Sequence, residues 1–176
     1  LLHLGVMRLE RFDETGAEAA WQESIRLNPS AWAYRNLAIL CLRRKETDQA
    51  CAYYDLAWQL AIETGNPLAA LAIEYLEMLV ETLQWKRGME IYNALQPEVQ
   101  FAERVQILRG QCALALGDLE SVELVLECEY AVVREGETML SDLWFELHVR
   151  CFGITRQEAQ KRFPPPARID FRSFNG

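Results

Sequence analysis

Through most of this chain a large apolar residue recurs with a short one four positions before it. Ala17–Trp21, Ala50–Tyr54, Gly88–Tyr92 and Val122–Leu126 follow one another at intervals of 33, 38 and 34 residues. Each pair lies in a stretch with helical apolar periodicity, and a spacing of four puts both members on one helix face. The first three short residues are Ala or Gly, the size a close helix crossing requires. A second alignment precedes each pair: Leu4-Gly5, Leu37-Ala38, Tyr75-Leu76 and Arg109-Gly110. Arg109 stands where the others carry an apolar side chain. One helix pair cannot bury its apolar stripe alone, so such a sequence must stack successive pairs into a continuous core.

The punctuation fits two helices per unit. Leu1, Leu4, Met7 and Phe12 are spaced for one helix face, and FDETG then interrupts the pattern. A second helix starts near Thr15 and ends at Asn28-Pro29, because the residue before proline is pushed out of the α region. Lys45 to Asp48 breaks the next pair. Gly65-Asn66-Pro67 and Pro97 separate later ones, with an insertion before Pro67 that lengthens a helix. Gly117-Asp118 combines a left-handed stop with an N-cap. DLESVELVLECEYAV, from Asp118, reads as one further helix. Beyond it Ser141 is an N-cap candidate and Thr155 to Glu158 a capping box. Pro164 to Pro166 exclude a helix, so the end is an extended tail.

Composition narrows the function. A net charge of -8 argues against nucleic acid and anionic membranes, which call for a positive surface. No apolar run approaches a membrane span. Five cysteines, an odd number with no C-x-x-C, read as reduced thiols in apolar helix faces. The expected compartment is therefore the cytoplasm. The chain opens within a helical pattern and without Met, which reads as a piece of a longer protein.

A period near 34 with two helices per unit resembles the tetratricopeptide repeat, whose pattern is W-x2-L-G-x2-Y, then A-x3-F, then P. Leu1, Leu4, Gly5, Ala17, Trp21 and Pro29 carry the match in the first unit. Tyr34, Leu37, Ala38, Ala50, Tyr54 and Ala57 carry it in the second. The resemblance covers about residues 1–130. It implies an all-α fold: a right-handed α-α superhelical solenoid of about four hairpins in residues 1–135. Residues 136–162 would form C-terminal capping helices, and 163–176 a basic, Pro-rich tail, packed on the array or disordered. Phe163, Ile169, Phe171 and Phe174 would anchor a packed tail. The ending also resembles, over a shorter stretch, the C-terminus of large bacterial proteins carrying such repeats after a β-rich region of uncharacterised function.

In this repeat family the first helix of each pair lines a concave groove. Carried over by position, the groove holds Trp32, Arg35, Asn36, Ile39 and Arg43, at offsets of 3, 4, 7 and 11. Glu74, Glu77 and Glu81 follow from the third unit; Arg104, Leu108 and Gln111 follow from the fourth. A basic, aromatic patch beside an acidic strip suits an extended peptide or another domain of the same chain. The bland alternative is a set of solvated helix faces. Some family members clamp a C-terminal carboxylate with Lys and Asn in the first unit. Leu2 and Val6 stand there here, leaving only Asn36, which argues against a clamp.

No nucleophile elbow, phosphate loop or dinucleotide fingerprint occurs. His3 and His148 lack metal-ligand spacing, so neither a metal nor a cofactor is expected. The expected role is a non-catalytic protein-interaction or scaffold module of a larger bacterial protein. The alternatives are a structural accessory of a multidomain enzyme, acting on carbohydrate if the C-terminal likeness holds, and self-association into a homo-oligomer through an exposed array end.

Overall fold

The computed structural model describes residues 1–65, 69–131 and 138–172. Among the described residues every regular element is a helix: α1 (Leu2–Glu10), α2 (Glu14–Leu27), α3 (Ala31–Arg43), α4 (Thr47–Glu63), α5 (Ala69–Glu81), α6 (Trp85–Ala94), α7 (Pro97–Gln100), α8 (Glu103–Leu116), α9 (Leu119–Glu127), α10 (Met139–Phe152) and α11 (Arg156–Arg162). None is long and apolar enough to cross a membrane. The chain divides into two compact units, Leu1–Tyr75 and Leu76–Gly176.

The repeat is built into the backbone at one kind of turn. Phe12, Lys45, Leu83 and Gly117 have φ of 63°, 63°, 60° and 81°. Their spacing reproduces that of Trp21, Tyr54, Tyr92 and Leu126. At each turn the next amide donates five residues back: Asp13 to the Arg8 carbonyl, Glu46 to Cys41, Gln84 to Leu79 and Asp118 to Ala113, at 2.8–2.9 Å. This is Schellman closure, which satisfies orphan carbonyls and reverses the chain within two residues. Asp13 and Asp118 then cap the following helix, accepting from the amides of Gly16 and Ser121. Gly117 takes the left-handed conformation without a Cβ clash. Phe12, Lys45 and Leu83 hold it against a preference of about 1 kcal/mol each.

The short-and-large pairs form the interior. Ala17, Ala50 and Val122 are fully buried, as are Trp21, Tyr54 and Leu126 to within 2%. In unit 1, Ala17 and Trp21 of α2 join Leu37 and Leu40 of α3 in one cluster, with Leu2 and Leu9 of α1 packed on it. Gly5 admits the indole: a Cβ there would fall 2.2 Å from Trp21 Nε1. That nitrogen donates to the Leu2 carbonyl at 3.1 Å. Tyr54 stacks on Tyr75 at 5.2 Å and 7°. In unit 2, α8, α9 and α10 enclose Ile107, Val122, Val125, Leu126, Leu140, Leu143 and Leu147. Ile169, beyond the three prolines, is fully buried in the same cluster, and Phe171 packs against it. Trp144 Nε1 donates to the Phe163 carbonyl, and the Phe163 ring stacks on Phe152. Phe174 lies outside the described residues.

Several local readings need correction. The inward face of α1 is Leu2, Gly5 and Leu9, whereas Leu1, Leu4 and Met7 are exposed, and Phe12 sits past the helix at 94% exposure. Ser141 is not an N-cap. Thr138 holds that position, and Ser141 is buried one turn in, its hydroxyl donating to the Thr138 carbonyl. Helix α9 stops at Glu127 because Cys128 turns extended and Tyr130 folds back, donating its hydroxyl to the Val125 carbonyl. Leu108 is core, 2% exposed, and leaves the groove set. The Gly117-Asp118 stop and start and the Thr155–Glu158 capping box both form. Arg109 fits an apolar position by laying its guanidinium 5.1 Å over the Tyr92 ring.

Cys41, Cys112, Cys128 and Cys151 are free thiols. Burial, assisted by Glu46, pushes Cys41 up to about 11, and burial alone pushes Cys112 up to about 11. At mild alkaline pH, Ellman's reagent is expected to label exposed Cys151 promptly and to reach Cys41 and Cys112 only on unfolding, since the thiolate is the reactive form; equal labelling rates would refute the burial. A second measurement tests the turn. Urea melts should show Lys45→Gly stabilising the fold by about 1 kcal/mol and Gly117→Ala weakening it by about as much. Destabilisation by Lys45→Gly would sink the strained-turn account.

Candidate functional site

The expected groove residues fall into two sets, one in each unit. In unit 1, Arg35 meets Glu74 in a two-pronged pair: Nε donates to Oε2 and Nη2 to Oε1, both at 2.6 Å. Arg35 Nη1 also donates to Asn36 Oδ1 at 3.2 Å. The Glu74 hydrogen bonds raise the Arg35 ionisation still further above its ordinary value. The basic residue and the acidic residue expected to face a ligand therefore face each other. Ile39 is half-buried and Arg43 exposed. Trp32 is 40% exposed and lines a pocket of about 200 Å³ with Pro29, Ser30 and Ala31, against Leu60, Ala61 and Thr64 from the end of α4.

In unit 2 the same neutralisation recurs. Arg104 Nε donates to Glu77 Oε1 at 2.8 Å, and Arg104 Nη1 rests on Met139 Sδ. Glu81 is exposed at the end of α5. Gln111 extends from α8 to the same sulfur, its Nε2 at 3.5 Å. Its Oε1 is buried, and among the described residues it has no hydrogen-bond partner. An unmatched buried acceptor carries a desolvation penalty of about 1–3 kcal/mol.

Gln111 lines a pocket of about 290 Å³. The walls come from α5 (Val80), the start of α6 (Trp85), α8 (Gln111, Leu114, Ala115) and α10 (Met139, Asp142, Leu143, Glu146, Arg150). The charged groups at its rim are engaged by the protein itself. Arg156 of α11 bridges Asp142 and Glu146, and Arg150 donates to the Leu114 carbonyl. What remains is an apolar hollow of about the size of one large side chain, with one polar amide incompletely bonded.

The α10 wall escapes sequence reasoning, which gives residues 136–162 to capping. A signal was present: Met139, Asp142, Leu143, Glu146 and Arg150 repeat the offsets of Trp32, Arg35, Asn36, Ile39 and Arg43. The ion pairs were not readable, since Arg35 and Glu74 are 39 residues apart. The second histidine is a packing residue: His148 Nδ1 meets the Trp144 carbonyl at 2.8 Å, and its ring lies between Trp144 and Phe163. Among the described residues no group of three or more His, Cys, Asp and Glu side chains is placed to hold a metal ion.

Comparison with protein-family models, with curated proteins and with solved structures gives no match to this chain. The likeness to the tetratricopeptide repeat thus rests on residue pattern.

A double-mutant cycle tests the unit 1 pair. Arg35→Ala, Glu74→Ala and the double variant should give a coupling of about 1 kcal/mol, shrinking as salt is raised. Zero coupling at low salt would return both residues to the solvent-facing role.

Proposed function

We propose that this chain is a non-catalytic protein-interaction module. Its hairpins stack as the right-handed superhelical solenoid of tetratricopeptide type that its residue pattern resembles, and it recognises a peptide or a neighbouring domain through the first-helix faces. The observation that carries this reading is the unit 2 pocket, where three successive first helices, α5, α8 and α10, contribute to an apolar hollow containing the unmatched Gln111 amide. A peptide supplies what is missing there: an apolar side chain for the hollow and a backbone N–H for the acceptor.

Charge has a secondary role in this reading. Arg35, Arg104 and Arg156 already hold carboxylates, so they set the shape of the surface and exclude like-charged partners more than they bind. The same pairing supports a non-catalytic assignment. Glu74 and Glu77 are each held by a guanidinium, and a general acid and base in one cleft need two carboxylates in contrasting environments.

Displayed random peptides selected on the whole chain provide the test. Ala115→Phe fills the hollow and should weaken the selected peptides about tenfold or more. Gln111→Met keeps the side-chain length and removes the orphan acceptor. It should leave stability unchanged or raise it by about 1 kcal/mol while weakening the same peptides about fivefold. Peptides indifferent to both substitutions would rule out this surface, and clear destabilisation by Gln111→Met would make Gln111 a structural residue.

A further inference from the structure

Unit 2 holds a second pocket, of about 290 Å³, between α9, α10 and the segment that follows the three prolines. Its α10 wall is aromatic. Trp144, His148 and Phe152 are spaced by four residues and share one helix face. The His148 ring lies 4.4 Å from Trp144 and 5.9 Å from Phe152. Its Nδ1 meets the Trp144 carbonyl, which only accepts, so Nδ1 carries the proton. In the neutral ring Nε2 is then an acceptor, and among the described residues it meets no donor. The α9 wall brings Glu123 and Glu127, one turn apart and both exposed. Among the described residues neither has an ion-pair or hydrogen-bond partner. Their placement is unfavourable in the free protein. Like charges one turn apart repel, and Glu127 ends α9, where the helix dipole disfavours a carboxylate. No basic residue stands in that last turn. At the Gln111 pocket Arg156 bridges the two carboxylates, whereas here Arg168 donates to the Leu126 carbonyl at 3.2 Å and to neither glutamate.

We propose that this pocket binds a primary alkylammonium group. The three N–H donors of the ammonium meet three acceptors, Glu123, Glu127 and His148 Nε2. Its charge relieves the repulsion between the two carboxylates and offsets the negative end of α9. Its alkyl stem lies against the faces of Trp144 and Phe152, whose quadrupoles attract a cation. The volume admits a stem the size of one side chain. Arg168 does not oppose this, because the lining carries two carboxylates against one guanidinium, and that guanidinium is held on a carbonyl. The chemistry is shared by a lysine side chain and a free alkylamine. This pocket has no lining residue in common with the Gln111 pocket, so the proposal does not rest on the peptide reading and the two fail separately.

Cys151 is exposed at the same pocket and reports its occupancy. Iodoacetamide alkylation of Cys151 in the whole chain is followed by peptide mass spectrometry at about pH 8, where an alkylammonium stays protonated. Affinity is read as the ligand concentration giving half-protection, which does not depend on the intrinsic alkylation rate. n-Butylammonium chloride should protect saturably, whereas sodium chloride at the same ionic strength and n-butanol should not. Tetramethylammonium, which has no N–H, should protect about tenfold more weakly. Glu123→Gln with Glu127→Gln should weaken n-butylammonium about tenfold or more, with the melting temperature retained or raised because both side chains are exposed and repel each other. Arg168→Gln should leave binding unchanged or tighten it. A Gly-Lys-Gly peptide blocked at both ends separates the sources: stronger protection than n-butylammonium assigns the ligand to a lysine of a partner protein, and otherwise it is a free amine. Absence of saturable protection overturns the proposal. So does equal protection by n-butanol or by tetramethylammonium, protection that survives the paired glutamate substitution, or weakening by Arg168→Gln.

Discussion

The contact of a small residue on one helix with a large ring on its neighbour organises the rest of this fold. Gly5 against Trp21 shows it most directly, because no side chain larger than hydrogen fits beneath the indole. Close approach of α1 and α2 fixes where the connecting turn must reverse, and the left-handed residue with its Schellman closure follows from that. The same reversal recurs at Lys45, Leu83 and Gly117, and of the four turns only Gly117 carries a residue that favours it. A local preference of about 1 kcal/mol is overridden because burial of an aromatic ring is worth more. Packing, not turn chemistry, therefore sets the period.

The repetition has a functional corollary. First helices that present equivalent faces offer equivalent positions to solvent, and those positions carry the arginines, carboxylates and amides. In each unit one arginine and one carboxylate of these faces neutralise each other, Arg35 with Glu74 and Arg104 with Glu77. Such a surface favours recognition by shape, apolar anchors and individual hydrogen bonds over recognition by field. Among the described residues two buried side-chain atoms lack a hydrogen-bond partner, Arg109 Nε and Gln111 Oε1, and of these Gln111 lines the unit 2 pocket.

The tail illustrates how a segment without regular structure joins a core. Pro164 to Pro166 remove backbone donors and prevent helix, so the chain leaves α11 extended and reaches the α9–α10 interior with Ile169. Arg168 secures the approach by donating to the Leu126 carbonyl, close to the end of α9. Arg172 pairs with Asp170 and lies over the Phe145 ring. Unit 2 thus draws part of its core from residues far along the chain.

Legibility divides along lines of sequence distance. Helix existence, the repeat interval, the Gly117-Asp118 turn, the Thr155–Glu158 capping box and the burial of Ala17, Trp21, Ala50 and Tyr54 depend on neighbours within about one turn or on a regular period. They are readable from the sequence by itself. The pairing of Arg35 with Glu74, the stop of α9 forced by Tyr130, the depth of Leu108 and the α10 wall of the pocket depend on partners brought together only by folding. No local preference encodes which carboxylate a guanidinium will find or which of two helix faces meets a neighbour. Sequence determined that the chain builds helical hairpins at a fixed interval, because helix periodicity and small-to-large spacing act over a few residues. Tertiary structure decided which side chains stay open to a partner, because that depends on what the other helices have already covered.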